Sequence, residues 1–463
     1  MLFAYALDFF IDFIFFLMHK NHAICLLKNG TMTAEIAVYN KLAVSLAADS
    51  AVTITGGNTV KINNGAEKLF ALSKHHPVGL MVYGAGSLCG VPWEMIIKEY
   101  RRQLGDICYD TVEQYAEKFW DFLCDSNHII PDDIKNNHLE EILLYNVLPG
   151  LMQHIQDFPV KMFIEENQRH PNTLETYKII EFACKEFVNN FNGSEFYKGF
   201  DDSDLSKAIA FSNPIAKEAC ESILYREEVI TIPLSLIDAL STMFAHIICR
   251  KSPFGTNTGL VIAGYGDKEY FPSILAYDVI GFFGEKLRYS PNMDKSTSGG
   301  ESGVTAYAQE DEVSAFMTGI SGELQEYMFP QIEKGAEKIL SEVADKIKAS
   351  SLPAEECESL ITSIYDFAKS NWATTTSDIR DYIINNHLGK VVEMIEFLPK
   401  QDLGYMAESL VNLTAFKRKI SNDSETVGGP IDVAIISKGD GFVWVKRKHY
   451  FDKELNYQYF KRN

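Results

Sequence analysis

The stretch MTAEIAVYNKLAVSLAADS, residues 32–50, has the pattern of two strands joined by a tight turn. Apolar and small residues alternate with a period of two, which is the signature of a strand. Asn40-Lys41 is the natural turn, since Asn tolerates the left-handed backbone of short hairpins. A hairpin centred there pairs Thr33 with Ala48 or Asp49 and so sets a hydroxyl beside a carboxylate.

A second hairpin follows. Residues 68–72 form a strand, residues 73–77 a polar turn, and residues 78–84 the returning strand. Centred near His75, this hairpin places Lys68 opposite Tyr83 or Gly84. If both hairpins belong to one sheet, they bring together a hydroxyl, a carboxylate, an ammonium and a glycine-rich strand end. Those are the components of a nucleophilic site with backbone donors for an oxyanion.

These segments resemble a known family. The runs Thr33–Ile36, Ala47-Ala48-Asp49-Ser50, Lys68-Leu69-Phe70 and Met81–Gly86 resemble the amino-terminal half of proteasome β-type subunits and their bacterial ring-protease relatives. All of these are N-terminal nucleophile (Ntn) hydrolases. The spacing from Thr33 to Asp49 matches the family without a gap, and the resemblance covers roughly residues 33–125.

The resemblance implies a threonine-type hydrolase that cleaves peptide or amide bonds through an acyl-enzyme. Thr33 is then the nucleophile, and its free α-amine at the chain start acts as the base. Lys68 relays protons and supplies positive charge, while Asp49 orients the ammonium. Tyr83 and Gly84 are the candidate oxyanion donors, because the family's doubled glycine stands here as Tyr83-Gly84.

The sequence departs from the family at the residues that surround this site. The family's Asp and Ser before the last strands align with Ser424 and Val427, and Glu425 could substitute after a small shift. A further Ser of the family aligns with the segment Gln309–Glu312. The alternative is therefore a catalytically silent, proteasome-like scaffold or binding subunit of an oligomer.

Composition excludes several other classes. The chain has 463 residues and a net charge of −20, which argues against nucleic-acid binding because no basic stripe could neutralise phosphates. The eight cysteines form no Cys-x-x-Cys pair and indicate reduced thiols in a cytoplasmic protein. No metal or cofactor is expected. Gly84-x-Gly86 lacks the glycine spacing of a dinucleotide loop. The expected partners are a peptide or protein substrate and further copies of the chain.

Residues 1–32 allow three interpretations. Residues 2–18 are strongly apolar, but Asp8 and Asp12 interrupt them and no basic residue precedes them. The segment is an extended gene start upstream of Met32, a cleaved propeptide, or an anchor that contacts a membrane through residues 1–18. Under the first interpretation, removal of Met32 exposes Thr33 as residue one.

The remaining sequence predicts an α+β fold, the four-layer α/β/β/α Ntn-hydrolase sandwich, over residues 33–463. Helices are expected at 87–104 and from Asp110, where Glu113 completes a capping box. Two helical insertions are expected, one at about 130–255 with breaks at Pro149-Gly150, near Asn192-Gly193 and around Pro233, and one at about 320–420. Residues 289–302 are rich in Ser, Gly, Asn and Asp and predict a mobile loop. Strands at 431–437 and 442–446 close the sheet.

Overall fold

A computed structural model describes residues 34–56, 59–223, 231–252, 258–420, 428–452 and 454–458. The fold is mixed α+β with antiparallel sheets. The chain divides into two compact units. Among the described residues, the first unit holds 52–269 and 273–297, and the second holds 34–51, 270–272 and 298–458. The assignment of 33–463 to one domain stays a prediction.

The elements are numbered along the chain. The strands are β1 Glu35–Asn40, β2 Ala43–Ala48, β3 Val52–Gly56, β4 Thr59–Asn63, β5 Leu69–Ala71, β6 Val78–Gly84, β7 Ser87–Leu88, β8 Val91–Pro92, β9 Thr258–Gly264, β10 Ser273–Phe283, β11 Lys286–Thr297, β12 Gly303–Ala306, β13 Asp432–Ser437 and β14 Gly441–Lys446. The helices are α1 Trp93–Leu104, α2 Val112–Asp125, α3 Asp132–Ile142, α4 Leu148–Ile155, α5 Lys161–Asn167, α6 Thr173–Phe191, α7 Asp202–Ile223, α8 Leu234–Cys249, α9 Glu310–Thr318, α10 Gly322–Lys348, α11 Ala354–Ile383, α12 Gly389–Glu396 and α13 Lys400–Ile420.

The predicted first hairpin is present as β1 and β2, but its register is shifted. Glu35 pairs with Ala48, and the Asp49 N–H donates to the Ala34 carbonyl at 3.1 Å. The predicted register is therefore wrong by at least one residue, and Thr33 itself lies outside the described residues. The reason lies in Asn40, whose side-chain oxygen accepts from Leu42 N at 2.9 Å and moves the turn one residue on.

The second unit is built around this hairpin. Its sheet has the order β12-β1-β2-β13-β14, so the strands from the end of the chain join the first hairpin as predicted. One face of β1 and β2 packs against α9, α12 and α13. Gly404 permits the close approach of α13, because a Cβ there would lie 3.0 Å from Ile435 Cδ1.

The second hairpin belongs to a different sheet, in the first unit. That sheet has the order β11-β10-β9-β6-β5, so the expectation that both hairpins share one sheet is wrong. Both edges of the β1–β2 pair are taken by β12 and β13, which leaves no edge for β5 or β6.

The register of the second hairpin is also shifted. Leu69 pairs with Met81, and Val82 N donates to the Lys68 carbonyl at 2.8 Å. Lys68 thus lies opposite Val82 rather than Tyr83 or Gly84. The turn is fixed by Ser73, whose hydroxyl accepts from the amides of His75 and His76 at 3.1 Å each.

Two helices cover one face of this second sheet. The apolar stripes predicted for them are buried, as Trp93 and Ile97 illustrate in α1. Helix α2 begins differently from the prediction: Thr111 is the N-cap and accepts from Gln114 N at 3.2 Å. The predicted capping box from Asp110 to Glu113 is absent from this described helix start, since a β-branched hydroxyl already fills the cap.

The described residues of the region 132–249 are mainly helical as predicted, and helices α6 and α8 bear out the breaks near Asn192-Gly193 and Pro233, but the expected break at Pro149-Gly150 is wrong. Both residues lie inside α4, which continues without interruption from the π-helical segment Leu143–Val147, so the chain stays helical through the proline. Inside this unit Arg288 is fully buried, and its guanidinium donates to the carbonyls of Ile247 and Ile248 at 2.9 and 2.8 Å. These bonds give hydrogen-bond donors to two of the last carbonyl groups of α8, which have no partner within the helix.

The predicted mobile loop over 289–302 is wrong for most of its length. Residues 286–297 form β11, a long strand paired with β10 through two register shifts. Polar composition favoured a loop, but the eleven residues of β10 offer backbone partners along most of this segment. Residues 324–420 are helical as expected, and α10 and α11 form a long hairpin.

No helix in the described part of the chain combines the length and apolar character needed to cross a membrane. Within the same residues, no group of three or more His, Cys, Asp or Glu side chains is arranged to hold a metal ion.

Candidate active site

Asp49 lies immediately after β2 and is 1% exposed. Its carboxylate accepts three backbone N–H groups: Ala34 at 3.2 Å on Oδ1, and Ala51 at 3.4 Å and Gly428 at 2.9 Å on Oδ2. Backbone amides that converge on one carboxylate fix its orientation. The sequence predicted Asp49 as a site residue and did not predict this set of donors.

The segment around Gly428 reaches Asp49 from the other end of the chain. Ser50 N donates to the Gly428 carbonyl at 3.2 Å, and the Ser50 hydroxyl donates to the Pro430 carbonyl at 2.5 Å. These bonds join the start of β13 to the end of β2. The Gly428-Gly429 pair before the last strands was the only sequence signal for this contact, because glycine allows close backbone approach.

Three predicted site residues fall outside the described residues. They are Thr33, Ser424 and Glu425. Their described neighbours are nevertheless informative. Ala34, which follows Thr33 directly, bonds to Asp49 through both its N–H and its carbonyl.

Lys68, Tyr83 and Gly84 lie at one end of the first unit's sheet. Lys68 is 6% exposed and immediately precedes β5, while Tyr83 and Gly84 end β6. The Lys68–Val82 backbone bond places Lys68 next to this strand end. A buried ammonium is tolerated only beside acceptors or a countercharge.

Gly84 has the backbone conformation that a turning strand end requires. Its φ is +77°, in the left-handed region that favours glycine. Gly84 pairs with Thr258, whose hydroxyl accepts from Trp93 Nε1 at 3.2 Å and donates to the Ala85 carbonyl at 3.1 Å. These bonds fix the path of the chain directly after Gly84.

Gly259, Thr258 and Trp93 are supporting residues that sequence reasoning did not single out. The Tyr83 ring lies across Gly259, since a Cβ added there would be 1.8 Å from Tyr83 Cζ. An isolated glycine in a strand pattern is the signal that indicates such a close approach. On the same ring, the Lys295 ammonium lies 5.3 Å from the centroid.

The structure therefore brings Lys68 close to Tyr83 and Gly84 in the first unit, and surrounds Asp49 with amides in the second. The proximity of Asp49 to Lys68 and the role of Thr33 stay predictions. A scan against protein-family models finds no match, and no curated protein is similar to this chain at a significant level.

Proposed function

We propose that this chain is a threonine-type Ntn hydrolase that cleaves peptide or amide bonds, with Thr33 as its nucleophile. The observation that carries the proposal is the hydrogen bond from Ala34 N to Asp49 Oδ1. It ties the buried carboxylate to the residue that directly follows Thr33. A carboxylate held in this way is oriented before substrate arrives, as electrostatic catalysis requires.

Burial in the two sheets supports the four-layer sandwich as the fold. Helices cover one face of each sheet. The opposite faces are buried as well: Val44 and Leu46 in one sheet and Met81 and Val261 in the other are all 0% exposed. A further apolar layer on each of these faces would account for that burial, and the proposed α/β/β/α arrangement supplies such a layer.

The proposed reaction uses the parts in named roles. The Thr33 α-amine accepts the hydroxyl proton as Oγ attacks the substrate carbonyl. The Lys68 ammonium stabilises the developing alkoxide, and Asp49 holds that ammonium. Backbone N–H groups at Tyr83 and Gly84 donate hydrogen bonds to the oxyanion. The leaving amine takes the proton, and water then hydrolyses the ester on Thr33.

The test requires a chain that begins at Thr33. Intact mass of the purified protein identifies the first residue, and a panel of fluorogenic peptides then reports hydrolysis. A peptide β-lactone should add its full mass to Thr33, because opening of the lactone acylates the hydroxyl. Thr33→Ala should abolish both signals, whereas Thr33→Ser should keep acylation because it keeps a hydroxyl.

Two outcomes would contradict the proposal. One is hydrolysis that Thr33→Ala leaves unchanged. The other is a chain that begins at Thr33 and is not acylated by the lactone.

The second outcome would favour the alternative, a catalytically silent scaffold or binding subunit. One observation supports this alternative. The segment Gln309–Glu312 stands where the family carries a serine before its late helix, and none of its four side chains has a hydroxyl. Within it, Glu312 is buried and its carboxylate accepts from the Lys417 ammonium at 2.5 Å.

A further inference from the structure

We propose that the hairpin of α10 and α11 binds the same hairpin of a second copy of this chain through one apolar side. The proposal is independent of the hydrolase function, because it concerns a surface of the second unit that contains none of the candidate site residues. We define the docking stripe as Ile332, Ile339 and Val343 of α10 together with Leu360 and Phe367 of α11.

The two helices form an arm with little buried surface of its own. They have 27 and 30 residues and are joined by the five residues 349–353, so they run antiparallel. Ala344 and Cys357 are their only buried residues, and the Cys357 thiol donates to the Ile347 carbonyl at 3.4 Å. Two helices that pack together bury only the face by which each contacts the other. Any other apolar face on the pair needs a further partner to be buried.

The stripe has the spacing of such a side. Ile332 and Ile339 are seven residues apart on α10, and Leu360 and Phe367 are seven apart on α11. A repeat of seven keeps side chains on one face of a helix and is typical of a helix-packing seam. All five side chains of the stripe are exposed, with Ile339 at 66% and Phe367 at 72%.

Both rows lie on the same side of the arm. Each residue of an α-helix rotates the side-chain direction by about 100°. On α10, the stripe residues therefore point about 80° away from the residues that face α11, such as Leu340 and Ile347, on the side that precedes them in the direction of rotation. On α11, the stripe residues likewise point about 90° away, in the same sense, from the residues that face α10, such as Ile361 and Ala368. Both sets of stripe residues are offset by a similar angle, in the same sense along the chain, from the contact between the two helices. Because the helices are antiparallel, these offsets place both sets on the same side of the arm.

The other side of the arm is mainly polar, with Tyr365 as an exposed apolar residue on it. In α10 it carries Glu326, Glu337 and Lys348, and in α11 it carries Glu358, Thr362, Lys369 and Arg380. The contrast between the two sides shows that the stripe is not an average solvated helix surface.

The area of the arm fits a second copy as the occupant, and its charge argues against an anionic lipid surface. A 27-residue helix is about 40 Å long, and two helices side by side are about 20 Å wide, so one side covers about 800 Å². That equals the area that each partner contributes to a standard stable interface. Residues 322–383 carry twelve acidic and six basic side chains, a balance that disfavours an anionic lipid surface. Two arms packed face to face complete a four-helix bundle.

The experiment measures the mass of the full chain by light scattering during size-exclusion chromatography over a range of micromolar concentrations. The wild-type protein should dimerise, with twice the monomer mass of 52.2 kDa. Ile339→Glu and Phe367→Glu should each raise the dimer Kd by about 30-fold or more, since each buries an unpaired charge twice in a symmetric interface. Both side chains are exposed in the single chain, so the variants should fold.

Tyr365→Glu is the matched control. Tyr365 is a large apolar residue of α11 that is 40% exposed, but it lies on the opposite flank of the helix from the stripe. Its substitution should leave the dimer intact. A wild-type protein that stays monomeric at tens of micromolar would overturn the proposal. So would an assembly whose mass the two stripe variants leave unchanged, or stripe-dependent flotation of monomers with phosphatidylcholine–phosphatidylserine vesicles.

Discussion

The Gly428 amide donates to the Asp49 carboxylate at 2.9 Å across a separation of 379 residues. This bond fastens the chain before the last β-hairpin to the end of the first one. Together with the amides of Ala34 and Ala51, it places three N–H donors around one buried carboxylate. Asp49 is therefore both a structural acceptor and the best-defined element of the candidate site.

Asp49→Asn should lower both stability and activity. An amide side chain has one acceptor oxygen in place of two, so at least one of the three N–H donors loses its acceptor. We expect a loss of about 1–3 kcal/mol in the free energy of unfolding, measured by urea denaturation. The proposed peptide hydrolysis should fall by about 100-fold or more, because the orienting negative charge is removed.

Asp432→Asn provides the control for that experiment. Asp432 is also buried in the same sheet, and its carboxylate accepts from the backbone and ammonium of Lys448 at 2.7 and 2.5 Å. Its substitution should cost a comparable amount of stability and leave hydrolysis within a few-fold of wild type. Equal loss of activity in both variants would mean that Asp49 acts only through folding.

Gly259→Ala should disturb the end of β6. The new Cβ would lie 1.8 Å from Tyr83 Cζ, so the ring would have to leave its position. Overpacking of this kind costs about 1–3 kcal/mol, which chemical denaturation would show. Gly86→Ala is the control, because a Cβ at Gly86 meets nothing within 4 Å. Identical stability of the two variants would refute this account of Gly259.

One buried and two half-buried histidines should make the protein less stable in mild acid. Burial lowers the pKa of His138, His154 and His246 from the ordinary value of 6.5, and the charge of Arg250 lowers that of His246 further. Below about pH 6.5 the unfolded chain binds protons that the native imidazoles reject. The free energy of unfolding should therefore fall with the pH over this range.

His246→Gln tests this prediction. The Nδ1 atom of His246 is buried and has no hydrogen-bond partner in the described part of the chain, so its protonation would bury an unsatisfied cation beside Arg250. The variant should lose less stability than wild type when urea denaturation is compared at pH 7 and pH 5. An unchanged pH dependence would exclude His246 as a contributor.

The cysteines should react with iodoacetamide in a definite order. The seven cysteines of the described residues are all free thiols, and Cys108 is exposed. Burial raises the pKa of Cys89 to about 11 and that of Cys184 and Cys249 to about 12. Because the thiolate is the nucleophile, peptide mass mapping should find Cys108 alkylated well before these three. Unfolding in urea should remove the order.

Sequence reasoning located both hairpins and the apolar faces of α1 and α2, since period and composition act over a few residues. Its errors in register came from single side chains. The side-chain oxygens of Asn40 and Ser73 accept hydrogen bonds from backbone N–H groups and so shift the position of each turn. The alternation of apolar residues along a strand does not predict such a shift. The strand β11 was missed for a related reason: its polar residues are held by the ladder to β10 rather than by their own preference.

The sequence alone determined the strand–turn–strand character of residues 34–48, the helical stripes and the acidic, α+β nature of the chain. It also singled out Asp49, Lys68 and Gly84, since their residue types and spacing carry the resemblance. Only the tertiary structure decided that the hairpins lie in separate sheets and that Gly428 binds Asp49. The physical reason is that periodicity is local, whereas strand pairing and amide placement depend on which distant segments compete for the same edge and the same buried acceptor.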